Sequence, residues 1–122
     1  MPAAERHTAL VVDDEPDVCR VTARMLDEAG FAVKLATSGR EALEVLPDSV
    51  DVIVLDVRMP GMSGPEVASE ARRLGTTAPV LFISGFPEDP AGPGPLRHDF
   101  LCKPFTPDQL VGAVRTLLAT RA

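Results

Sequence analysis

Apolar residues recur along this chain in two rhythms that take turns. Thr8-Ala9-Leu10-Val11-Val12 is a compact apolar strand, Val52 to Leu55 a fully buried one, and Ala78-Pro79-Val80-Leu81-Phe82-Ile83 a strand apolar on both faces. Phe31 to Ala36 alternates, with Phe31, Val33 and Leu35 on one face, and Phe100-Leu101-Cys102 is a short last strand. Helical spacing fills the intervals. From Asp17 to Ala29, Val18, Thr22, Met25, Leu26 and Ala29 form one stripe, which Gly30 ends. Pro16 suits the first turn of that helix, and Asp14 or Glu15 is placed to cap it. Ser38 caps a second helix through about Leu46, with Ala42, Leu43 and Leu46 inward and Pro47 as the stop. A third runs from about Pro65 to Leu74 with Val67, Ala71 and Leu74 inward. The last opens on Thr106-Pro107-Asp108 and turns Leu110, Ala113, Val114, Leu117 and Leu118 to the core.

The alternation breaks once. A helix is due between the fourth and fifth strands, yet Phe86 to Pro95 holds Pro87, Pro90, Pro93 and Pro95 together with Gly92 and Gly94. The segment reads as a loop with at most one helical turn, near Glu88 to Ala91, so the fourth helix is shortened or replaced by a loop. Strands alternating with helices predict an α/β fold, a doubly wound five-stranded parallel sheet with helices on both faces. The flavodoxin-like order 2-1-3-4-5 is taken over from known sheets of that class rather than derived from the pattern. It puts strands one and three side by side at the centre.

Composition narrows the picture. At 122 residues the chain forms one domain, residues 1–122, with 1–7 as a polar lead-in. Apolar residues make up 45% and there is no Trp or Tyr, so the core is aliphatic. A net charge of -6 leaves no basic footprint for direct nucleic-acid binding or an anionic membrane. No apolar run approaches the roughly 18 residues that span a bilayer, and Met1 to His7 lacks a hydrophobic signal region, which predicts a cytoplasmic protein. Cys19 and Cys102 are isolated and read as ordinary buried or half-buried thiols. His7 and His98 show no partner spacing and read as surface residues. Met25, Met59 and Met62 read as packing or loop residues.

Candidate chemistry collects where strands end. The central strand stops on Asp56, after which Pro60, Gly61 and Gly64 break the chain. The carboxyl edge of an open α/β sheet is where ligands bind. Alone, Asp56 reads as the first residue of a turn. With the order above, Asp13 and Asp14 join it from strand one, Ser84 from strand four and Lys103 from strand five. Three neighbouring carboxylates repel, and their oxygens suit a hard divalent cation, of which Mg²⁺ is the natural one. A carboxylate nucleophile, a screening metal, a hydroxyl and an ammonium make a site for a phosphoryl group. Each residue also has a plain reading. Asp13 and Asp14 can cap a helix, Ser84-Gly85 is an ordinary turn pair, and Lys103 and Arg58 can be solvated, Arg58 hanging over the site. Phe100 reads as a core aromatic.

Four stretches carry a family resemblance: Val11-Val12-Asp13-Asp14-Glu15, Leu55 to Gly64, Ile83-Ser84-Gly85, and Phe100-Leu101-Cys102-Lys103-Pro104-Phe105. In that combination and order the chain resembles the receiver domain of two-component response regulators. The resemblance implies that Asp56 accepts a phosphoryl group from the phosphohistidine of a histidine kinase or histidine phosphotransfer domain. It implies that Asp14 and Asp56 ligate Mg²⁺ directly, Asp13 through a water, and Arg58 by its main-chain carbonyl. Ser84 then corresponds to the family's phosphate-contacting Ser/Thr, Lys103 to its lysine and Phe100 to its aromatic switch residue, and the Lys103-Pro104 bond is expected to be cis. The expected function is a phosphorelay receiver with slow autodephosphorylation, a phosphoacceptor rather than an enzyme. A downstream protein or a fused kinase is the further partner.

The segment before Phe100 departs from the family, where a helix commonly forms part of the output face. Ser84-Gly85-Phe86-Pro87-Glu88-Asp89 is similar to receivers attached to hybrid histidine kinases, and a stand-alone receiver fits equally well. Two other functions compete: an interaction module that works irrespective of phosphate, and an aspartyl phosphatase. The latter normally carries a second acid two residues after its nucleophile, where this chain has Arg58.

Overall fold

The computed structural model describes residues 6–46, 49–85 and 98–119. Nine elements follow one another there: β1 (Thr8–Val12), α1 (Pro16–Glu28), β2 (Ala32–Ala36), α2 (Gly39–Val45), β3 (Val52–Asp56), α3 (Gly64–Arg73), β4 (Val80–Ser84), β5 (His98–Cys102) and α4 (Pro107–Ala119). The strands form one parallel sheet in the order β2-β1-β3-β4-β5, as expected for a doubly wound fold. The replaced-helix expectation for Phe86 to Pro95 lies outside the described residues.

Period-2 alternation sorts the strand side chains onto two aliphatic cores. Leu10, Val12, Ile53, Leu55, Val80 and Phe82 face α2 and α3, where Ala42, Leu46, Val67 and Ala71 meet them. Ala9, Val11, Val52, Val54, Leu81 and Ile83 face α1 and α4, against Cys19, Leu26, Leu110 and Val114. Every residue of β3 and β4 is buried, so the sheet's centre is rigid where the chain will need rigidity. Each fully buried Leu, Ile, Val or Phe contributes about 1.5–3 kcal/mol by leaving water.

Caps set the helix starts. Ser38 Oγ accepts from Glu41 N at 3.1 Å, and Thr106 Oγ1 accepts from Gln109 N at 3.1 Å while Gln109 Oε1 accepts from Thr106 N at 2.9 Å. Ser63 and Glu66 form a full capping box at the head of α3. At α1 the expected Asp14 or Glu15 cap is not made. Glu15 holds the N-cap position without a side-chain bond, and Asp13 Oδ1 instead accepts from Glu15 N at 3.0 Å. Gly30 ends α1 with φ +100, a conformation closed to most side chains.

Leu74, Leu35 and His98 differ in burial from a simple reading of the pattern, each for a positional reason. Leu74 is 57% exposed because it is the C-cap of α3, one residue past the last turn that touches the sheet. Leu35 is 43% exposed because β2 is an edge strand, flanked by β1 on one side only. His98, read as a surface residue, opens β5 half-buried and sets its ring edge-on to Phe82 with centroids 5.7 Å apart. His7 is exposed, and Cys19 is buried and Cys102 half-buried with no disulfide between them, as read from the sequence. No helix among the described residues is long and apolar enough to cross a membrane.

Candidate functional site

Register brings the strand tips together. Val12 pairs with Leu55, so Asp13 stands level with Asp56 across the β1–β3 seam. Asp56 pairs with Ile83, which pairs with Leu101, so Ser84 stands one step further out at the tip of β4 and Lys103 two steps further out, just past β5. The backbone ties these tips: Asp13 N donates to Ala36 O at 3.1 Å, Val57 N to Ile83 O at 3.0 Å, and Lys103 N to Ser84 O at 2.8 Å. The Lys103-Pro104 bond is cis, as the resemblance implied.

Three carboxylates converge. One ligand oxygen each from Asp13, Asp14 and Asp56 lies within 4.8 Å of the others. Asp13 and Asp56 are buried, at 5% and 7% exposure, and Asp14 is half-exposed. The Lys103 ammonium reaches in from the far side, 3.7 Å from Asp13 Oδ2 and 3.6 Å from Asp56 Oδ1. One cation against three anions does not balance them. Burial pushes the Asp56 carboxyl up to about 6, Lys103 opposes the shift, and the Asp13 and Asp14 charges add to it. An all-oxygen donor set that is short of positive charge fits a hard divalent cation, so the residues present can hold one.

The remaining predicted residues are placed as follows. Ser84 is buried at 4% exposure at the tip of β4. Arg58 is exposed in the loop two residues beyond Asp56. Phe100 is half-buried on β5 and packs against the α2–α3 core, below the site rather than in it. The structure thus gathers the Asp13, Asp14 and Asp56 carboxylates, sets the Lys103 ammonium against Asp13 and Asp56, and places Ser84 on the adjacent strand end.

Gly64 is a further residue at this edge, with a part that its sequence context did not reveal. Read as a loop breaker, it is instead the first residue of α3, and its amide donates to Val57 O at 2.9 Å. The sequence offers only a glycine there, and its φ, which is not positive, gives no dihedral reason for one.

A family model described as the response regulator receiver domain matches residues 9–115. The sensor kinase CckA of Brucella abortus is 38% identical over 117 residues, covering 91% of this chain and 12% of the kinase. The response regulator MprA of Mycolicibacterium vanbaalenii is 39% identical over 113 residues, covering 89% of this chain and 49% of MprA. The chain therefore spans half or less of these curated relatives. Among solved structures, a response regulator receiver protein from Sinorhizobium medicae is 33% identical with a TM-score of 0.86, covering 98% of this chain and 99% of that one. The receiver domain of the hybrid histidine kinase CckA is 36% identical with a TM-score of 0.77, covering 91% and 98%. With likeness running from β1 into α4 in both sequence and fold, the chain belongs to the response regulator receiver domains of two-component systems.

Proposed function

We propose that Asp56 is the phosphoacceptor of a two-component phosphorelay and that the donor is the phosphohistidine of a histidine kinase or histidine phosphotransfer domain. The observation that carries this reading is the buried Asp56 carboxylate with the Lys103 ammonium 3.6 Å away and two further carboxylates around it. A carboxylate oxygen of Asp56 attacks phosphorus, the P–N bond to the donor imidazole breaks, and its electron pair returns to the ring nitrogen, which takes a proton. The product is a mixed anhydride on Asp56. Water later cleaves its P–O bond and releases inorganic phosphate, which is the slow self-dephosphorylation expected of a switch rather than of an enzyme with a separate substrate.

Lys103 would neutralise charge on the equatorial phosphoryl oxygens, and the Ser84 hydroxyl would bond a second of them. Asp13, Asp14, Asp56 and the main-chain carbonyl of Arg58 would hold Mg²⁺. Bound there, the ion supplies charge neutralisation for both the nucleophile and the incoming phosphoryl group. Phe100, half-buried beside Phe82 in strand register, would be the aromatic that responds to occupancy of the site. The setting is cytoplasmic signalling through a downstream protein or a fused kinase, without direct nucleic-acid or membrane contact, in keeping with the net charge of -6.

Incubation with Mg²⁺ and a small acyl phosphate donor tests the reading. The expected result is a one-phosphoryl mass gain that hydroxylamine removes and that is absent in Asp56→Asn. Equal labelling of the variant would refute it, and sustained turnover of a phosphomonoester would favour an aspartyl phosphatase.

A further inference from the structure

The peptide unit between Asp56 and Val57 is held from two directions. On one side Val57 N donates to Ile83 O of β4 at 3.0 Å. On the other, the first residue of α3 lies on it directly. A Cβ added at Gly64 would stand 2.5 Å from the Asp56 carbonyl oxygen, 3.0 Å from Val57 Cα and 3.2 Å from the Asp56 carbonyl carbon. Carbon and oxygen need about an ångström more than the first of these separations. All three atoms are backbone, so no side-chain rotation relieves the contact. The φ of Gly64 is not positive, so alanine meets no dihedral penalty there and the obstacle is the methyl group alone.

From this contact we infer that Gly64 is a positioning residue for phosphoryl acceptance: its missing side chain lets α3 seat on the Asp56–Val57 peptide and thereby fixes where the acceptor carboxylate stands. The inference rests on the proposed phosphoacceptor role of Asp56. The carboxylate is borne by Asp56 itself, whose carbonyl forms the seat, and its distances to Lys103 and Asp13 are set by that backbone. The capping box of Ser63 and Glu66 anchors the seat from the helix side, with Glu66 N donating to Ser63 Oγ at 3.3 Å and Ser63 N to Glu66 Oε1 at 3.1 Å. A displacement of about 1 Å at a reacting group costs up to roughly a hundredfold in rate.

Two other glycines separate this claim from general loosening. A Cβ at Gly39 would meet the Val67 and Met62 side chains at 2.8 and 2.9 Å, in the same layer but away from the Asp56 backbone. At Gly112 on α4 it would meet nothing within 4 Å. The experiment compares wild type with Gly64→Ala, Gly39→Ala and Gly112→Ala, each under conditions where circular dichroism shows it folded. It measures the labelling rate from a small acyl phosphate donor with Mg²⁺ and, without metal, hydrogen exchange of the Val57 amide. Gly64→Ala is expected to label at least about tenfold more slowly and to exchange the Val57 amide faster, while Gly39→Ala and Gly112→Ala stay near wild type. An unchanged rate and unchanged Val57 exchange in folded Gly64→Ala overturn the inference, as does an equal loss in Gly39→Ala. If Gly64→Ala does not fold, Ser63→Ala decides: it removes the cap that anchors α3 on the seat without adding a clash, and faster Val57 exchange with slower labelling supports the inference, whereas faster Val57 exchange at a wild-type labelling rate overturns it. Absence of labelling in wild type would instead sink the phosphoacceptor reading, leaving the Val57 exchange to judge the seat.

Discussion

Neutralising Asp56 should make the metal-free protein more stable, and the structure sets the size and the pH window of the gain. The carboxyl is pushed from 3.8 up to about 6, by burial first and by the Asp13 and Asp14 charges next, with Lys103 opposing. The unfolded chain releases this proton near 3.8, whereas the folded protein holds it to about 6. Stability from the group is therefore fully present below 3.8 and is lost as pH rises through 6. The loss corresponds to roughly 3 kcal/mol at 1.36 kcal/mol per pH unit. Asp56→Asn keeps the shape and carries no charge, so it escapes the loss. In chelator-containing buffer at pH 7 the variant should be more stable than wild type by up to about 3 kcal/mol, or on the order of 10 °C in Tm. Near pH 4 the two should be nearly equal. Urea denaturation of both proteins from pH 4 to 8 measures the difference at each pH and cancels the other carboxylates. A difference that is flat with pH, or a variant less stable than wild type at pH 7, would refute the crowded-carboxylate account of this site.

Three further outcomes follow from the same geometry. Mg²⁺ should raise the Tm of wild type, by about 2.7 kcal/mol of stability at a hundredfold excess over its dissociation constant, and a thermal melt of Asp56→Asn should show a smaller rise. Lys103→Met removes the cation facing both Asp13 and Asp56 and should slow labelling by a small phosphodonor by about a hundredfold or more, read by quenched mass spectrometry, with the fold retained in circular dichroism. In the core, Leu81→Ala should cost about 2–5 kcal/mol, while Leu74→Ser should stay within about 0.5 kcal/mol; chemical denaturation separates the buried leucine from the exposed one.

The legible part of this chain is the part fixed by local chemistry. β1 runs over Thr8–Val12 as its apolar run predicted, and the strand tips bearing Asp13, Asp56 and Ser84 are marked by polar residues that end buried runs. Helix starts were readable to within a residue because Ser38, Thr106 and the prolines act on their own neighbours; the Ser63 cap of α3 was not read. The illegible part depends on where an element ends or lies relative to others. Leu74 continues the α3 stripe in sequence, but the helix has left the sheet by then. Leu35 alternates correctly on a strand that has a neighbour on one side only. His98 carries no spacing signal, since its partner Phe82 lies on the adjacent strand. Gly64 was visible as a glycine, but the carbonyl it must not strike belongs to a strand eight residues earlier. At the site itself the residue types and the crowding of carboxylates were readable, whereas the Lys103 contacts with Asp56 and Asp13 at 3.6 and 3.7 Å came only with the structure.

Phosphotransfer from protein to protein tests the central claim most directly. A histidine phosphotransfer domain or histidine kinase, labelled on its histidine with radioactive phosphate, is mixed with this chain and Mg²⁺, and the label is followed by gel and peptide mapping. The account predicts that label leaves the histidine, appears on the peptide containing Asp56, decays slowly to free phosphate, and never appears on Asp56→Asn. Transfer that survives that substitution, or label mapped to another residue while Asp56 stays unmodified, would contradict it.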